Sequence, residues 1–339
     1  MHAIRLHAFG PAENLVHERT EDPAPAPGQV RIEVAAAGVH LLDASLREGA
    51  PGPFPAPPEL PTIPGREVAG TVDALGEGTD PAWLGKRVVA HLGMAPGGYA
   101  ELAVVDASRL HEIPEGPHGL DEAEAVAMIG TGRTTMGILQ FADLGPDAIA
   151  VVPAAAGGIG TLLVQYAKNA GAAVIGLAGG PAKTARTTAN GADLAVDYTR
   201  PDWQRHVRAH LRERLDGRRA TVVFDSVGGD TARAAVDLLG KGGRHLVFGW
   251  SSQGLTDGAP LTFTDEELAA RGIVSESVLG PAMLAKAGGD IRVLEERALA
   301  EAASGRLRPA VQRYPLAQAA RAHRDLESRR TTGKVVLIP

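Results

Sequence analysis

Residues 148–168 read AIAVVPAAAGGIGTLLVQYAK, and the order of residue types in that stretch decides the fold. Residues 148–152 are a compact apolar run, long enough for one buried strand and too short for an ordinary helix. Pro153, three alanines and the glycines Gly157, Gly158 and Gly160 follow, and then Ile159, Leu162, Leu163 and Tyr166 recur at the i, i+3, i+4, i+7 spacing of an amphipathic helix. Strand, glycine turn and helix in that order suit a pyrophosphate. Backbone without side chains can approach it closely, and the free N–H groups and positive dipole end of the helix favour the anion. A glycine pattern alone also fits a tight turn in any α/β protein, so context decides. A second apolar run, residues 172–178, completes a βαβ unit, and the distance from Gly160 to its end is about the twenty residues of a dinucleotide fold. The candidate cofactor contacts here are Ala156, Gly157, Gly158, Ile159 and Gly160.

The chain around this stretch has 339 residues, enough for two packed cores, and its 44% hydrophobic and 22% charged content is that of an ordinary globular protein. With 34 Lys and Arg against 40 Asp and Glu, a formal charge of −6 gives no reason to expect nucleic acid or an anionic membrane as partner. There are no cysteines, which rules out disulfides, thiolate zinc sites and cysteine nucleophiles and fits a reducing compartment. The N-terminal MHAIRLHAFG has no long apolar core, and no apolar run reaches the length of a membrane span, so the expected location is the cytoplasm.

Residues 1–125 read as β-rich, with strands expected at 3–7, 29–36, 67–75, 87–92 and 99–105 between Gly- and Pro-rich turns. Residues 51–64, PGPFPAPPELPTIP, lack too many N–H groups for helix or interior strand, which leaves a stiff surface segment, either a spacer or a flap over a cleft. From Asp121 the texture turns helical. Beyond the central βαβ, strands at 194–196, 221–224 and 244–248 alternate with helices at 203–215 and 231–239, the pattern of a parallel sheet covered on both faces. A strand at 273–278, a helix at 291–304, a strand at 310–314, a helix at 316–326 and a closing strand at 335–338 complete the expectation.

Several separate stretches carry a resemblance: PGREVAG at 64–70, GGYAE at 97–101, AAAGGIG at 154–160, VVFDSVGG at 222–229 and ESRRTTGK at 327–334. Together they make essentially the whole chain similar to the zinc-independent medium-chain dehydrogenase/reductases, and within them to the NADPH-dependent quinone oxidoreductases. The resemblance implies an α/β protein with a GroES-like, partly open β-barrel domain (residues 1–125 and 305–339) and a Rossmann domain with a doubly wound parallel sheet (126–304). It also implies NADPH in the cleft between them, and a homodimer. Two departures stand out. In GVHLLDASLREG, His40 and Ser45 stand where the quinone reductases carry an asparagine and a tyrosine facing the nicotinamide, while the family's aspartate is kept as Asp43. The zinc alcohol dehydrogenases have a cysteine near this position, a histidine where Arg66 stands and a four-cysteine lobe, so neither catalytic nor structural zinc is expected.

An NAD enzyme places an acid at the end of the second Rossmann strand, where it binds the ribose 2′-hydroxyl. This strand ends instead in Ala178, Gly179 and Gly180, with Lys183 following, where the resembling family sets a lysine against the 2′-phosphate. The resemblance adds Tyr198 and Arg329 as phosphate and adenosine contacts, and Phe248 and Gly249 at a later strand end. Lys183 and Arg186 could simply be a solvated helix start, but cations there oppose the helix dipole unless an anion is present. His206 and His210, four apart on a helix with a Trp203, Val207, Leu211, Leu215 core stripe, could hold a metal; without a third ligand they read as part of a solvated basic face. The expected activity is hydride transfer from NADPH to a small-molecule acceptor, a quinone or an α,β-unsaturated carbonyl compound, with His40 and Asp43 as candidate catalytic residues. The alternative is an NADPH-binding structural or regulatory protein with little turnover.

Overall fold

The computed structural model describes residues 1–50, 52, 56–93, 96–253 and 258–339, which divide into two compact units, Met1–Gly132 with Ala298–Pro339, and Arg133–Arg297. The first unit is built along the strand Gln29–Val39. Val30, Ile32 and Val34 are buried at the alternating period of a half-covered strand, and burial is continuous from Ala36 to Val39. Register shifts near Arg31 and Val34 bend it against Glu67–Leu75. It also pairs with Leu102–Asp106 along its first residues and with Lys334–Ile338 along its last. The sheet runs Val311–Pro315, Lys334–Ile338, Gln29–Val39, Glu67–Leu75, Arg87–His91, Leu110–Glu112, with Leu102–Asp106 added to Gln29–Val39. The C-terminal tail thus belongs to the N-terminal sheet, as the return of β texture predicts.

The second unit is a sheet of six parallel strands in the order Leu194–Asp197, Ala173–Ala178, Ile149–Pro153, Ala220–Asp225, Leu239–Val247, Val274–Ser277. Helices Gly158–Asn169, Pro181–Ala189, Trp203–Arg214 and Gly229–Val236 connect its strands. Ile149, Val151, Ile175 and Val223 are fully buried at its centre. The order reverses direction between Ile149–Pro153 and Ala220–Asp225, and that switch point is where an open α/β sheet leaves a crevice beyond its strand ends.

Some elements differ from expectation for local reasons. The helix expected from Asp121 is two helices, Glu122–Ala127 and Arg133–Leu139, separated by a π-helical turn over Met128–Gly132. The expected strand at 99–105 starts later, at Leu102, because the Tyr99 carbonyl is drawn away to the Ile4 N–H at 2.8 Å. Helix Asp265–Arg271 was not anticipated, although Thr264 and Glu267 form the reciprocal capping box that signals one. Part of the Pro-rich segment 51–64 lies outside the described residues.

Candidate active site

In the second unit, most of the expected cofactor residues gather beyond the carboxyl ends of parallel strands. After Ile149–Pro153 the chain turns through Ala154, held at a φ of 50°, and the Gly157 N–H returns to the Ala154 carbonyl at 2.9 Å. Helix Gly158–Asn169 then begins at Gly157, and no side chain caps it. A Cβ on Gly160 would stand 2.3 Å from the Ala154 oxygen, so glycine is required for the helix to pack on the turn. Ala156 is buried in the same turn, and Gly157, Gly158 and Ile159 are half-exposed at the helix end. The bare, uncapped N-terminus at the switch point fits a dinucleotide pyrophosphate.

Gly179 ends the second strand, and a Cβ there would lie 3.5 Å from the Tyr198 hydroxyl, so the fold brings these two predicted contacts together. Lys183 sits in the first turn of helix Pro181–Ala189, which also lacks a side-chain cap. No acid follows Ala178 along the chain, but one does in space: Asp197, its register partner on the neighbouring strand. Asp197 Oδ1 accepts hydrogen bonds from the Gly180 N–H (2.9 Å), the Thr199 N–H (3.0 Å) and the Thr199 hydroxyl (2.7 Å). These bonds, the Gly180 one first, hold its carboxyl below the usual range. This carboxylate clamps the turn.

Phe248 and Gly249 follow strand Leu239–Val247. The Phe248 N–H donates to the Asp225 carbonyl at 2.8 Å, and a Cβ on Gly249 would come within 2.9 Å of the Ser226 carbonyl oxygen. Buried Asp225 shapes this crossing, accepting from the Val227 and Gly228 N–H groups at 2.9 Å and facing His245 Nε2 at 3.1 Å. Arg329 belongs to the other unit, exposed and in the left-handed region at φ 57°.

In the first unit, His40 and Asp43 sit at the start of helix Leu41–Arg47, directly after strand Gln29–Val39. Asp43 Oδ2 accepts from the His40 backbone N–H at 2.8 Å and from the Tyr99 hydroxyl at 2.9 Å. Tyr99 is fully buried; burial first, and then the Asp43 carboxylate, push its phenol well above the usual value, so it stays a donor. Behind it lies His323, with Nε2 3.2 Å from the Tyr99 oxygen and Nδ1 3.4 Å from the Arg47 guanidinium. Arg47 can only donate, so Nδ1 accepts and Nε2 carries the hydrogen given to Tyr99. Burial pushes His323 down to about 4, so the ring is neutral near pH 7.

The His40 side chain meets a second buried group. Its Nε2 lies 2.6 Å from Lys334 Nζ and 2.5 Å from Glu67 Oε1, and Lys334 donates to Glu67 Oε2 at 2.8 Å. Burial would raise the Glu67 carboxyl, but the neighbouring His40 ring and Lys334 ammonium outweigh it and hold the group well below the carboxylate range. Two glycines make room: a Cβ on Gly38 would lie 2.4 Å from Glu67 Oε2, and one on Gly130, inside the π-helical turn, 1.6 Å from Oε1.

Asp43 also borders a cavity of about 440 Å³, whose wall includes Leu46, Arg47, Pro58, Glu59 and Arg66. The described part of the Pro-rich segment therefore forms cavity wall. In the sequence Glu67, Tyr99 and Lys334 stand inside the stretches PGREVAG, GGYAE and ESRRTTGK with no role of their own, and nothing marks His323 or Arg47. The available signal was chemical: a glutamate opening the apolar strand EVAGTV and a lysine opening KVVLI, each asking for a buried partner.

A GroES-like sheet and a doubly wound sheet with a bare switch-point turn define a two-domain nucleotide-dependent dehydrogenase. Residues 26–115 match the model of the alcohol dehydrogenase GroES-like domain, and residues 190–337 match that of the zinc-binding dehydrogenases. A quinone oxidoreductase of Pseudomonas aeruginosa is 33% identical over 99% of this chain and 99% of its own. A 2-haloacrylate reductase of Burkholderia is 31% identical over 99% of this chain and 98% of its own. A crystal structure of Escherichia coli quinone oxidoreductase complexed with NADPH matches with a TM-score of 0.82 at 29% identity, covering 100% of both chains. The chain belongs to the quinone oxidoreductase family of the medium-chain dehydrogenase/reductases. Among the described residues no three His, Asp or Glu side chains gather as a metal site, and no helix is long and apolar enough to cross a membrane.

Proposed function

We propose that this protein is an NADPH-dependent reductase that passes hydride to a quinone or to a C=C bond conjugated to a carbonyl. The observation that carries the reading is the uncapped glycine turn at the switch point, in a chain that belongs to this family. NADPH supplies the hydride. In this reading Ala156 to Gly160 hold the pyrophosphate, Gly179, Lys183 and Tyr198 the adenosine 2′-phosphate side, Phe248 and Gly249 a later stretch of the cofactor, and Arg329 a further phosphate contact. Asp43 positions His40 through its backbone N–H, and the cavity beside Asp43 receives the acceptor. The cavity has the volume of a small-molecule site, and the Arg66 guanidinium on its wall can stabilise charge arriving on the acceptor oxygen. His40 acts as general acid for a C=C acceptor, whereas a quinone product takes its proton from water.

The proposal includes catalysis without a metal, a cytoplasmic location, and a homodimer formed through the edge strand Val274–Ser277, which ends the sheet with Val274 half-exposed. Steady-state oxidation of NADPH against a panel of quinones and enones tests the function. Turnover with either class upholds it; NADPH binding without turnover on any acceptor favours the structural or regulatory alternative.

A further inference from the structure

Two charged groups from different strands converge on one ring nitrogen of His40. The Lys334 ammonium lies 2.6 Å from Nε2 in hydrogen-bond geometry, whereas Glu67 Oε1, at 2.5 Å, lacks that alignment. An ammonium only donates, so Nε2 is the acceptor and the proton of the neutral ring sits on Nδ1. Glu67 Oε2 grips the same ammonium at 2.8 Å, while Oε1, fully buried, accepts no hydrogen bond among the described residues.

We propose that Lys334, His40 and Glu67 form a proton relay, an inference that rests on the reading of His40 as general acid for C=C reduction. Once hydride has reached the β-carbon of the acceptor, the α-carbon holds the electron pair that must take a proton. The Nδ1–H bond of His40 breaks as the new C–H bond forms, and Nε2 takes a proton from Lys334 Nζ in the same movement. Without that second transfer the ring would be left as an imidazolate. With it, His40 ends neutral in the opposite tautomer and Lys334 ends as a neutral amine. The new Nε2–H then points back at the Lys334 amine, which still donates to Glu67 Oε2 at 2.8 Å. The ring is 30% exposed, so solvent returns a proton to Nδ1, and the Nε2 proton passes back to Lys334. The net change is one solvent proton delivered to the α-carbon.

Histidine-labelled protein in alkaline buffer, where an ordinary imidazole is neutral, reports by ¹⁵N NMR which ring nitrogen carries the proton. The His40 signals are identified by their loss in His40→Gln. The relay requires Nδ1–H in the wild type and in Lys334→Arg, and Nε2–H in Lys334→Met; Nε2–H in the wild type overturns it, even if no Lys334 variant folds. Lys334→Arg keeps the charge and the donor but cannot give up its proton. The ratio of enone to quinone turnover should therefore fall on the order of 10²-fold in that variant, and a wild-type ratio overturns the relay. His40→Ala separates the two failures. If it lowers the ratio and Lys334→Arg does not, the general acid stands and the relay is wrong; if neither lowers it, the general-acid reading fails and takes the relay with it.

Discussion

His323 should make the barrel unit sensitive to acid, and replacing it should remove that sensitivity. The ring is fully buried, and burial lowers it from 6.5 to about 4. Between those values the unfolded chain binds a proton that the folded chain refuses, so folding weakens as pH falls. The stabilisation is complete above the unfolded value, declines through the window from 6.5 to about 4, and is gone below it. A difference of 6.5 minus about 4, at about 1.4 kcal/mol per pH unit, comes to roughly 3 kcal/mol. His323→Gln keeps an acceptor for Arg47 and a donor for Tyr99 but cannot titrate in this range. Urea unfolding of both proteins across the window, with amide exchange of strand Gln29–Val39 identifying the unit that melts, measures the difference. The stability gap between wild type and variant should narrow by roughly 3 kcal/mol from neutral pH to about 4. A gap that stays constant with pH would show that His323 takes up its proton in the folded state, and the neutral-ring network through Tyr99 to Asp43 would be wrong.

NADPH should bind more tightly than NADH. Because a charge-assisted contact is worth roughly 1.5–3 kcal/mol, Lys183→Ala should weaken NADPH about tenfold or more and leave NADH unaffected. Fluorescence titration measures both, and equal affinities in the wild type would remove the phosphate-site assignment. His40→Ala should cut kcat on an enone on the order of 10²-fold and on a quinone much less; equal rates on both acceptors would leave His40 without a proton-transfer role. Exhaustive chelation should leave activity unchanged, since the chain has no cysteine to complete a thiolate zinc site. Stoichiometric zinc lost together with activity would count against this. Sedimentation at micromolar concentration should show a dimer, and a charged substitution at Val274 should dissociate it.

The pattern along the chain was enough to read most of the strands and helices of the two sheets, though not helices such as Leu41–Arg47 and Asp265–Arg271, together with the glycine turn at 154–160 and the return of the C-terminal tail to the first domain. These features rest on periodicity and on backbone freedom, which act over a few neighbouring residues. His40 and Asp43 could be picked out only through the resemblance of GVHLLDASLREG to the quinone reductases, and nothing nearby in sequence says what they touch. Tertiary structure decided that: Tyr99, Glu67, His323 and Lys334 reach the same corner from segments up to 294 residues away, drawn in by strand register and by the space at Gly38 and Gly130. It also placed Asp197 beside Gly180, where the strand end read alone has no acid. A buried charge needs a partner, and burial is a property of the folded whole. The sequence could therefore show that Glu67 and Lys334 needed partners, and only the packed sheet could show that they are each other's and His40's.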